Sequence, residues 1–287
     1  MPELPIGEGP ESGSVGRMIL ITGATGTIGG EVVRQLTGRG VPLRAMSRTP
    51  SGPHGVRADF DDPESLRRAV EGVEAVFLLT APTTATSRHD LALLAAAREA
   101  GVARVVKLSA IGTGETTADG EVIGEWHLEG EEAVRASGMG WTVLRPSSFA
   151  SNVLRFAAGE RISNLTGDGK QGVVDPRDVA AVAVEALTDP RHDGRVHTLT
   201  GPELLSVPDQ AAELSRVLGR PVETVEVSPE QFASSGMGSS AARSIAIGTA
   251  WVREGHNAVV TDDVERVLGR PPTRFSDWVR DHVEAFG

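Results

Sequence analysis

The chain has 287 residues, a net charge of −11 and no cysteine, which allows a large core but excludes disulfides and thiolate chemistry. Its 39 acidic residues outnumber 28 basic ones, and no basic patch of the kind that follows a phosphate backbone is present, so direct nucleic-acid binding is not expected. No run reaches 18 apolar residues and the seven histidines are scattered singly, so neither a membrane span nor a metal site is expected.

Residues 1–16 are rich in Pro, Gly, Glu and Ser. They lack the basic start and the apolar stretch of a signal peptide, so the sequence predicts a disordered leader and a cytoplasmic protein. The folded part is predicted to begin at Met18-Ile19-Leu20-Ile21, an apolar run long enough for one buried strand of a parallel sheet.

A glycine-rich turn follows directly, Thr22-Gly23-Ala24-Thr25-Gly26-Thr27-Ile28-Gly29-Gly30, and Val32, Val33 and Leu36 continue at helical spacing. Glycine lets the backbone approach a pyrophosphate closely, and a helix N-terminus offers free N–H groups and a positive dipole. A strand, such a turn and a helix predict a dinucleotide-phosphate site, the alternative being a glycine turn without a ligand. The predicted cofactor contacts here are Gly23, Ala24, Thr25, Gly26, Thr27 and Ile28.

The glycine spacing is G-x-x-G-x-x-G, set by Gly23, Gly26 and Gly29. This TGATGxxG form resembles the atypical and extended short-chain dehydrogenase/reductases, and it is most similar to their NmrA-like branch of quinone reductases and redox-sensing regulators. The resemblance implies an α/β fold of Rossmann type, a doubly wound parallel sheet with a small C-terminal substrate cap. Short-chain dehydrogenases usually act through a Y-x-x-x-K pair, but this chain has no tyrosine.

Val41 to Ser47 is predicted to be the second strand, and Arg48 follows at its end. An acidic residue there would hold an adenosine ribose, whereas an arginine pairs with a 2′-phosphate. The sequence therefore favours NADP(H) over NAD(H), with a solvated arginine as the alternative. After the third strand, Val56 to Ala58, Asp59 matches the acidic residue that meets the adenine amino group in the resembling family, and Phe60 adjoins it.

Two further buried strands, Val73 to Thr80 and Val102 to Leu108, are predicted from their apolar runs. Ligands of open α/β sheets bind at the carboxyl ends of the strands, so the segment Thr80-Ala81-Pro82 is predicted to border the cofactor. Ser109 ends the fifth strand, where a serine commonly lies near the nicotinamide in the wider superfamily. Alternatively, Ser109 only terminates the strand.

The run from Glu125 to Asn152 is similar to the family pattern H-x-x-x-E…SG…T-x-LRP…F…N. His127 and Glu131 occupy the Y-x-x-x-K positions, one helical turn apart. Because histidine moves protons near neutral pH, His127 is the candidate proton donor, with Glu131 as the group that holds its charged form. The alternative is a histidine that packs or positions the nicotinamide.

Trp141 to Arg145 is predicted to be the sixth strand, and the segment after it is expected to pass the nicotinamide ring. The predicted cofactor contacts in that segment are Pro146, Ser147, Ser148 and Phe149. Residues 235–250 are rich in Gly, Ser and Ala, a composition that suits a mobile wall over a pocket. The predicted substrate contacts are Asn152, Met237 and Trp251.

Residues 17–152 are thus predicted to form the NAD(P)-binding core, and residues 153–287 to add the last sheet strand, further helices and the cap. The predicted activity is NADPH-dependent hydride transfer to a small quinone-like or conjugated carbonyl acceptor. A simple ketone needs a positioned acid as the hydride arrives, and the usual tyrosine is missing. A conjugated acceptor spreads the incoming charge over its own π-system, and water or His127 could complete the proton transfer. A redox sensor or regulator that binds NADP(H) without catalysis, and a non-redox isomerase or cyclase, are the alternatives. The expected partner is a small-molecule substrate, and homo-oligomer formation stays open.

Overall fold

The structure is a computed structural model that describes residues 18–80, 86–158, 161–233 and 239–286. The predicted leader over residues 1–16 lies outside these ranges, as do three predicted site residues, Ala81, Pro82 and Met237. None of the described helices is long and apolar enough to cross a membrane.

The strands are β1 Met18–Ile21, β2 Leu43–Ser47, β3 Gly55–Arg57, β4 Val73–Leu78, β5 Arg104–Leu108, β6 Gly140–Pro146, β7 Ala157–Ala158, β8 Arg161–Asn164, β9 Arg195–Leu199 and β10 Glu223–Glu226. The helices are α1 Thr27–Gly38, α2 Pro63–Val70, α3 Thr86–Glu99, α4 Glu125–Arg135, α5 Asn152–Phe156, α6 Pro176–Thr188, α7 Val207–Leu218, α8 Pro229–Ala233, α9 Ser239–Arg253, α10 Asp263–Leu268 and α11 Phe275–Asp281, with 3₁₀ turns at Pro190–His192 and Val283–Phe286.

Seven parallel strands form the central sheet in the order β3-β2-β1-β4-β5-β6-β9. Both faces of this sheet are covered, which is why its strands are nearly continuous apolar runs. On β1, Ile19 and Ile21 pack towards α1 and α6, whereas Leu20 packs towards α2 and α3. The predicted doubly wound Rossmann-type fold is confirmed.

A second, three-stranded sheet has the order β10-β8-β7 and comes entirely from the C-terminal half of the chain. Ile162 of this sheet shares a buried cluster with Leu214 of α7 and with Phe275, Trp278 and Val279 of α11. The segment predicted to form a cap thus has a small core of its own, while β9 from the same half completes the central sheet.

The strand order reverses between β1 and β4, so the carboxyl ends of these two strands border a crevice. Ligands of doubly wound sheets bind at such a switch point. In the register of the sheet, Ile21 of β1 lies beside Ala45 of β2 and Phe77 of β4. The residues that follow each of these strands therefore meet at one edge of the molecule.

Candidate active site

Thr22 ties the end of β1 to the end of β4 at the switch point. Its hydroxyl lies 3.0 Å from the carbonyl oxygen of Phe77 and 2.9 Å from that of Leu79, to which it can donate, and it accepts from the Leu79 N–H at 2.8 Å. Gly23 follows with φ +60°, and a Cβ there would lie 2.8 Å from Leu79 Cγ. Only glycine fits this turn without strain.

Gly29 allows α1 to begin directly on the turn. A Cβ at Gly29 would lie 2.2 Å from the carbonyl oxygen of Gly23, whereas a Cβ at Gly26 would meet nothing closer than 3.4 Å. Gly23 and Gly29 therefore shape the turn, while Gly26 faces open space. Together with Thr25 and Thr27, Gly26 forms an exposed rim above the start of α1.

The N-terminus of α1 has no side-chain cap and no acidic residue in its first turn. Two other helices that flank the same sheet are capped by carboxylates, Asp62 on α2 and Asp175 on α6. Free backbone N–H groups and an uncompensated positive dipole suit a phosphate. The turn thus fits the pyrophosphate of a dinucleotide, with Gly26 leaving the space that a larger side chain would fill.

The predicted adenosine contacts lie after β2 and β3. Arg48 is exposed, and no described residue pairs with its guanidinium. Asp59 is half-buried and accepts from the Asp61 N–H at 3.1 Å, while the Phe60 ring stacks on His89 with centroids 5.1 Å apart. Since β3, β2 and β1 are neighbours in the sheet, these residues lie on the β2 side of the glycine turn.

Thr80 and Ser109 follow β4 and β5, and Pro146 ends β6, so three predicted contacts lie along one sheet edge. Thr80 is buried and donates from Oγ1 to Asp90 Oδ1 at 2.8 Å. The other oxygen of Asp90 accepts from Lys107 Nζ at 2.5 Å, and both side chains of this ion pair are fully buried.

The Lys107–Asp90 pair was not predicted from the sequence. Gly130 of α4 permits it, because a Cβ there would lie 2.2 Å from Asp90 Oδ2 and 2.9 Å from Lys107 Cε. The signal in the sequence is a lysine inside an otherwise apolar strand, Arg104–Leu108, since a buried charge requires a partner. The partner itself lies on α3 and is not visible from spacing.

Glu131 is fully buried and accepts four hydrogen bonds. The donors are Ser109 Oγ at 2.5 Å, Arg135 Nη2 at 2.7 Å, and Arg145 Nε and Nη2 at 2.9 and 2.7 Å. Burial by itself would raise the pKa of Glu131, but the hydrogen bonds from Arg145, Ser109 and Arg135 outweigh it and hold the pKa below its usual value. Glu131 is therefore a carboxylate fixed by two arginines.

Glu131 was expected to hold the charged form of His127, but the two side chains form no hydrogen bond with each other. His127 Nδ1 is buried and has no hydrogen-bond partner among the described residues, and the Glu131 oxygens accept from Ser109 and from the two arginines. Burial, and secondly the charge of Lys107, lower the pKa of His127 to about 3, against a smaller opposing effect of Glu131. The ring is neutral at neutral pH, which counts against a donating imidazolium and favours the alternative of a packing or positioning histidine.

After β6, Ser147 is buried and donates to Asn257 Oδ1 at 3.0 Å, and Asn257 Nδ2 donates to Gln171 Oε1 at 3.3 Å. Asn257 and Gln171 were not predicted from the sequence to lie near this loop. Ser148 Oγ accepts from Asn152 Nδ2 at 3.3 Å, and Phe149 forms a parallel bridge with Val174. The predicted nicotinamide loop is thus held on both sides by the C-terminal half.

Trp251 is only 4% exposed, which departs from its predicted role as a substrate contact. Its ring packs with Ile123 and Val252 and covers Gly112, whose Cβ position would lie 2.6 Å from the indole. Protein atoms already cover most of the ring, so Trp251 fixes the loop after β5 instead of presenting a free surface. Asn152 lies at the start of α5, half-buried.

A family model described as NAD(P)H-binding matches residues 23–190, from the glycine turn to the start of the 3₁₀ turn after α6. The chain belongs to this NAD(P)H-binding family. The match begins at Gly23 in the glycine turn, and the predicted cofactor class is confirmed.

Curated relatives cover nearly the whole NAD(P)H-binding chain. It is 40% identical over 94% of its length to the (4-alkanoyl-5-oxo-2,5-dihydrofuran-3-yl)methyl phosphate reductase of Streptomyces griseus, of which 99% is covered. It is 38% identical over 94% of its length to the NAD(P)H azoreductase of Xenophilus azovorans, again with 99% covered. The predicted enzyme class, an NAD(P)H-dependent reductase, is confirmed.

Among solved structures, the NADPH complex of an NADPH-dependent quinone oxidoreductase from Escherichia coli superposes with a TM-score of 0.80 and 26% identity, covering 93% of this chain and 100% of that chain. The resemblance to NmrA-like and quinone-reductase-like proteins is likewise confirmed. The NAD(P)H-binding reductase described here thus shares both its fold and its cofactor class with that group.

Proposed function

We propose that this reductase uses NADPH to reduce a small acceptor whose own π-system takes up the incoming charge, a quinone-like or conjugated carbonyl compound. The observation that supports this most directly is that the side chains described at the site are not placed to donate a proton to the acceptor. The chain has no tyrosine. Among the described residues, His127 is neutral and Glu131 is held as a carboxylate. Lys107 forms a fully buried ion pair with Asp90. General acid catalysis contributes roughly 10²–10⁴-fold where an acid is present.

The names of the relatives support the same class of acceptor. The Streptomyces griseus enzyme is named for a dihydrofuranone that carries an alkanoyl group, so its ring double bond is conjugated with carbonyl groups. The Xenophilus enzyme is named for azo compounds and the Escherichia coli enzyme for quinones. Each of these groups spreads a negative charge over several atoms, which lowers the need for a protein acid.

The residues of this chain have distinct parts in such a reaction. The α1 N-terminus and the exposed rim at Gly26 would hold the pyrophosphate, and the exposed guanidinium of Arg48 would pair with a 2′-phosphate. The segments after β4, β5 and β6 would orient the nicotinamide and exclude water. When bound, the reduced cofactor supplies the hydride, and the chain supplies binding and orientation.

A panel of acceptors tests the proposal. Purified protein with NADPH is offered quinones, azo compounds, carbonyl-activated alkenes and simple ketones of similar size, and NADPH oxidation is followed by absorbance. We expect turnover of the first three groups and rates at least about 100-fold lower with the simple ketones. This factor corresponds to the rate enhancement that a general acid would supply.

Equal rates with simple ketones would overturn the proposed acceptor class. Tight NADPH binding without turnover of any acceptor would instead favour a cofactor sensor, and substrate rearrangement without NADPH consumption would favour an isomerase. Cofactor binding is measured by calorimetry in the same preparation, so that loss of folded protein cannot be mistaken for absence of activity.

A further inference from the structure

The hydroxyl of Ser109 has its proton committed to the protein interior. Glu131 is ionised between two arginines and has no proton to give, so Ser109 must be the donor in the 2.5 Å hydrogen bond that joins them. The Oγ atom of Ser109 also lies 3.2 Å from Thr113 Oγ1. The Thr113 proton has a better acceptor, the carbonyl oxygen of Ala110 at 2.8 Å.

The hydroxyl protons of Ser109 and Thr113 determine whether Ser109 donates to a ligand or accepts from it. Two hydroxyl protons serve Glu131 and the Ala110 carbonyl, so the contact between Ser109 and Thr113 carries none. A hydroxyl has one proton and two lone pairs. Ser109 therefore keeps acceptor capacity and has no proton left for a ligand.

The position of Ser109 decides what that acceptor can meet. Ser109 directly follows β5, beside Thr80 after β4 and Pro146 at the end of β6, on the sheet edge where ligands of this fold bind. A serine that donated here would bind a carbonyl oxygen. A serine that only accepts requires a ligand group with an N–H or O–H.

We infer that Glu131 is a positioning residue that turns Ser109 into a hydrogen-bond acceptor for the carboxamide N–H of the nicotinamide. The inference rests on the proposed function for the identity of the cofactor, but it concerns binding and not turnover. In this role Glu131 orients the Ser109 hydroxyl and does not stabilise a charged His127. It also means that Ser109 donates no proton to the acceptor.

An NADP⁺ analogue with an acetyl group in place of the carboxamide tests this inference. In 3-acetylpyridine adenine dinucleotide phosphate a methyl group replaces the NH2, while the carbonyl and the rest of the molecule stay the same. Calorimetry of the wild type is expected to give about tenfold tighter binding of NADP⁺ than of the analogue, the size of one well-made hydrogen bond.

Two variants separate the partners. Ser109→Ala is expected to abolish this preference by weakening NADP⁺ alone, because the analogue has no N–H to lose. Glu131→Gln is expected to reduce the preference at least about threefold, since an amide can donate to Ser109 and free the serine proton. Ser215→Ala, a matched change on α7 where the hydroxyl bonds the Ala211 carbonyl, should keep the wild-type preference.

A wild-type protein that binds both cofactors equally would overturn the inference, as would Ser109→Ala with the full preference retained. If Ser109→Ala removes the preference but Glu131→Gln keeps it, the positioning role of Glu131 is wrong. If Glu131→Gln does not fold, as judged by circular dichroism, the Ser109→Ala comparison still decides whether Ser109 accepts. Because all readouts are equilibrium affinities, failure of the proposed acceptor class leaves them unaffected.

Discussion

His127 combines the expected position of a proton donor with an environment that suppresses its charged form. Burial lowers its pKa to about 3, so above about pH 4 the ring is neutral. We predict that His127→Gln leaves the shape of the pH dependence of kcat between pH 5 and 9 unchanged and raises the KM for NADPH. Steady-state kinetics across that range with one quinone acceptor measures both effects.

A proton-donor role for His127 would give the opposite pattern. The variant would then lower kcat and kcat/KM together, keep cofactor affinity, and lose one limb of the profile near the ordinary histidine pKa. His256→Gln is a suitable control, because its ring is half-exposed and pairs with Glu254 on the surface.

Arg48 is expected to decide between NADPH and NADH. Its guanidinium is exposed and has no partner among the described residues, so a 2′-phosphate can pair with it without breaking an existing contact. We predict that Arg48→Ala weakens NADPH binding about 10- to 100-fold, as expected for hydrogen bonds between charged groups, and leaves NADH binding nearly unchanged. Fluorescence titration of both cofactors measures this.

The control for Arg48→Ala is Arg68→Ala on α2, another exposed arginine, whose contact is with Glu64 of its own helix. This variant should retain the cofactor preference of the wild type. Equal affinity of the wild-type protein for NADPH and NADH would show that Arg48 is an ordinary solvated side chain.

At the scale of the elements, the glycine turn separates binding from folding. Gly26→Val adds a side chain in the open space above the α1 N-terminus, where Gly26 has φ −89°, a backbone conformation that non-glycine residues also adopt. We predict loss of NADPH binding with a nearly unchanged melting temperature. Gly29→Ala places Cβ 2.2 Å from the Gly23 carbonyl oxygen and is expected to cost about 1–3 kcal/mol of unfolding free energy.

Thermal unfolding and calorimetric titration of the two variants test this separation. If Gly26→Val binds NADPH like the wild type while staying folded, the phosphate site lies elsewhere. If Gly29→Ala is as stable as the wild type, the contact between α1 and the turn is not the constraint that the geometry indicates.

Local patterns predicted most of the elements and few of the contacts within the site. The strand at Met18–Ile21 was predicted correctly, because an apolar run depends only on residues that are adjacent in the sequence. The second strand begins at Leu43 and not at Val41, since strand ends depend on pairing with neighbours.

The partners of the buried charges could not be predicted in the same way. Lys107 and Asp90 are 17 residues apart and lie on different elements, and Ser147 and Asn257 are 110 residues apart. Such pairs are set by how helices pack on the sheet, and spacing along the chain carries no information about that. The sequence placed Glu131 one helical turn from His127. It did not predict that Arg135 and Arg145 bond the carboxylate and lower its pKa.

For the whole molecule, buried histidines make stability depend on pH. His127 and His192 both have pKa values below the ordinary 6.5, chiefly because burial disfavours the charged ring. Below pH 6.5 the unfolded chain therefore binds protons that the folded chain does not, and the free energy of unfolding falls as pH falls. For His127 the loss continues to about pH 3, at up to about 1.4 kcal/mol per pH unit.

Urea unfolding at pH 7.5, 6, 5 and 4.5 measures this loss. His127→Gln should flatten the dependence between pH 6.5 and 5, because it removes a group that binds a proton at these pH values only in the unfolded chain. A free energy of unfolding that is constant over this range in the wild type would contradict the assignment of His127 as a buried neutral ring.

The buried side chains of Ser147, Asn257 and Gln171 form a hydrogen-bonded chain that joins the loop after β6 to the segment after α9. If the nicotinamide settles against residues 146–149, it also restrains Ser147 and, through it, the backbone around Asn257. When the loop after β6 is ordered, the entropic cost of ordering the segment around Asn257 is lower, and the reverse also holds. Binding of the cofactor and ordering of the segment around Asn257 therefore favour each other. Amide hydrogen exchange near residue 257 should slow when NADPH is added. Asn257→Ala should abolish that protection and lower the affinity of the protein for NADPH.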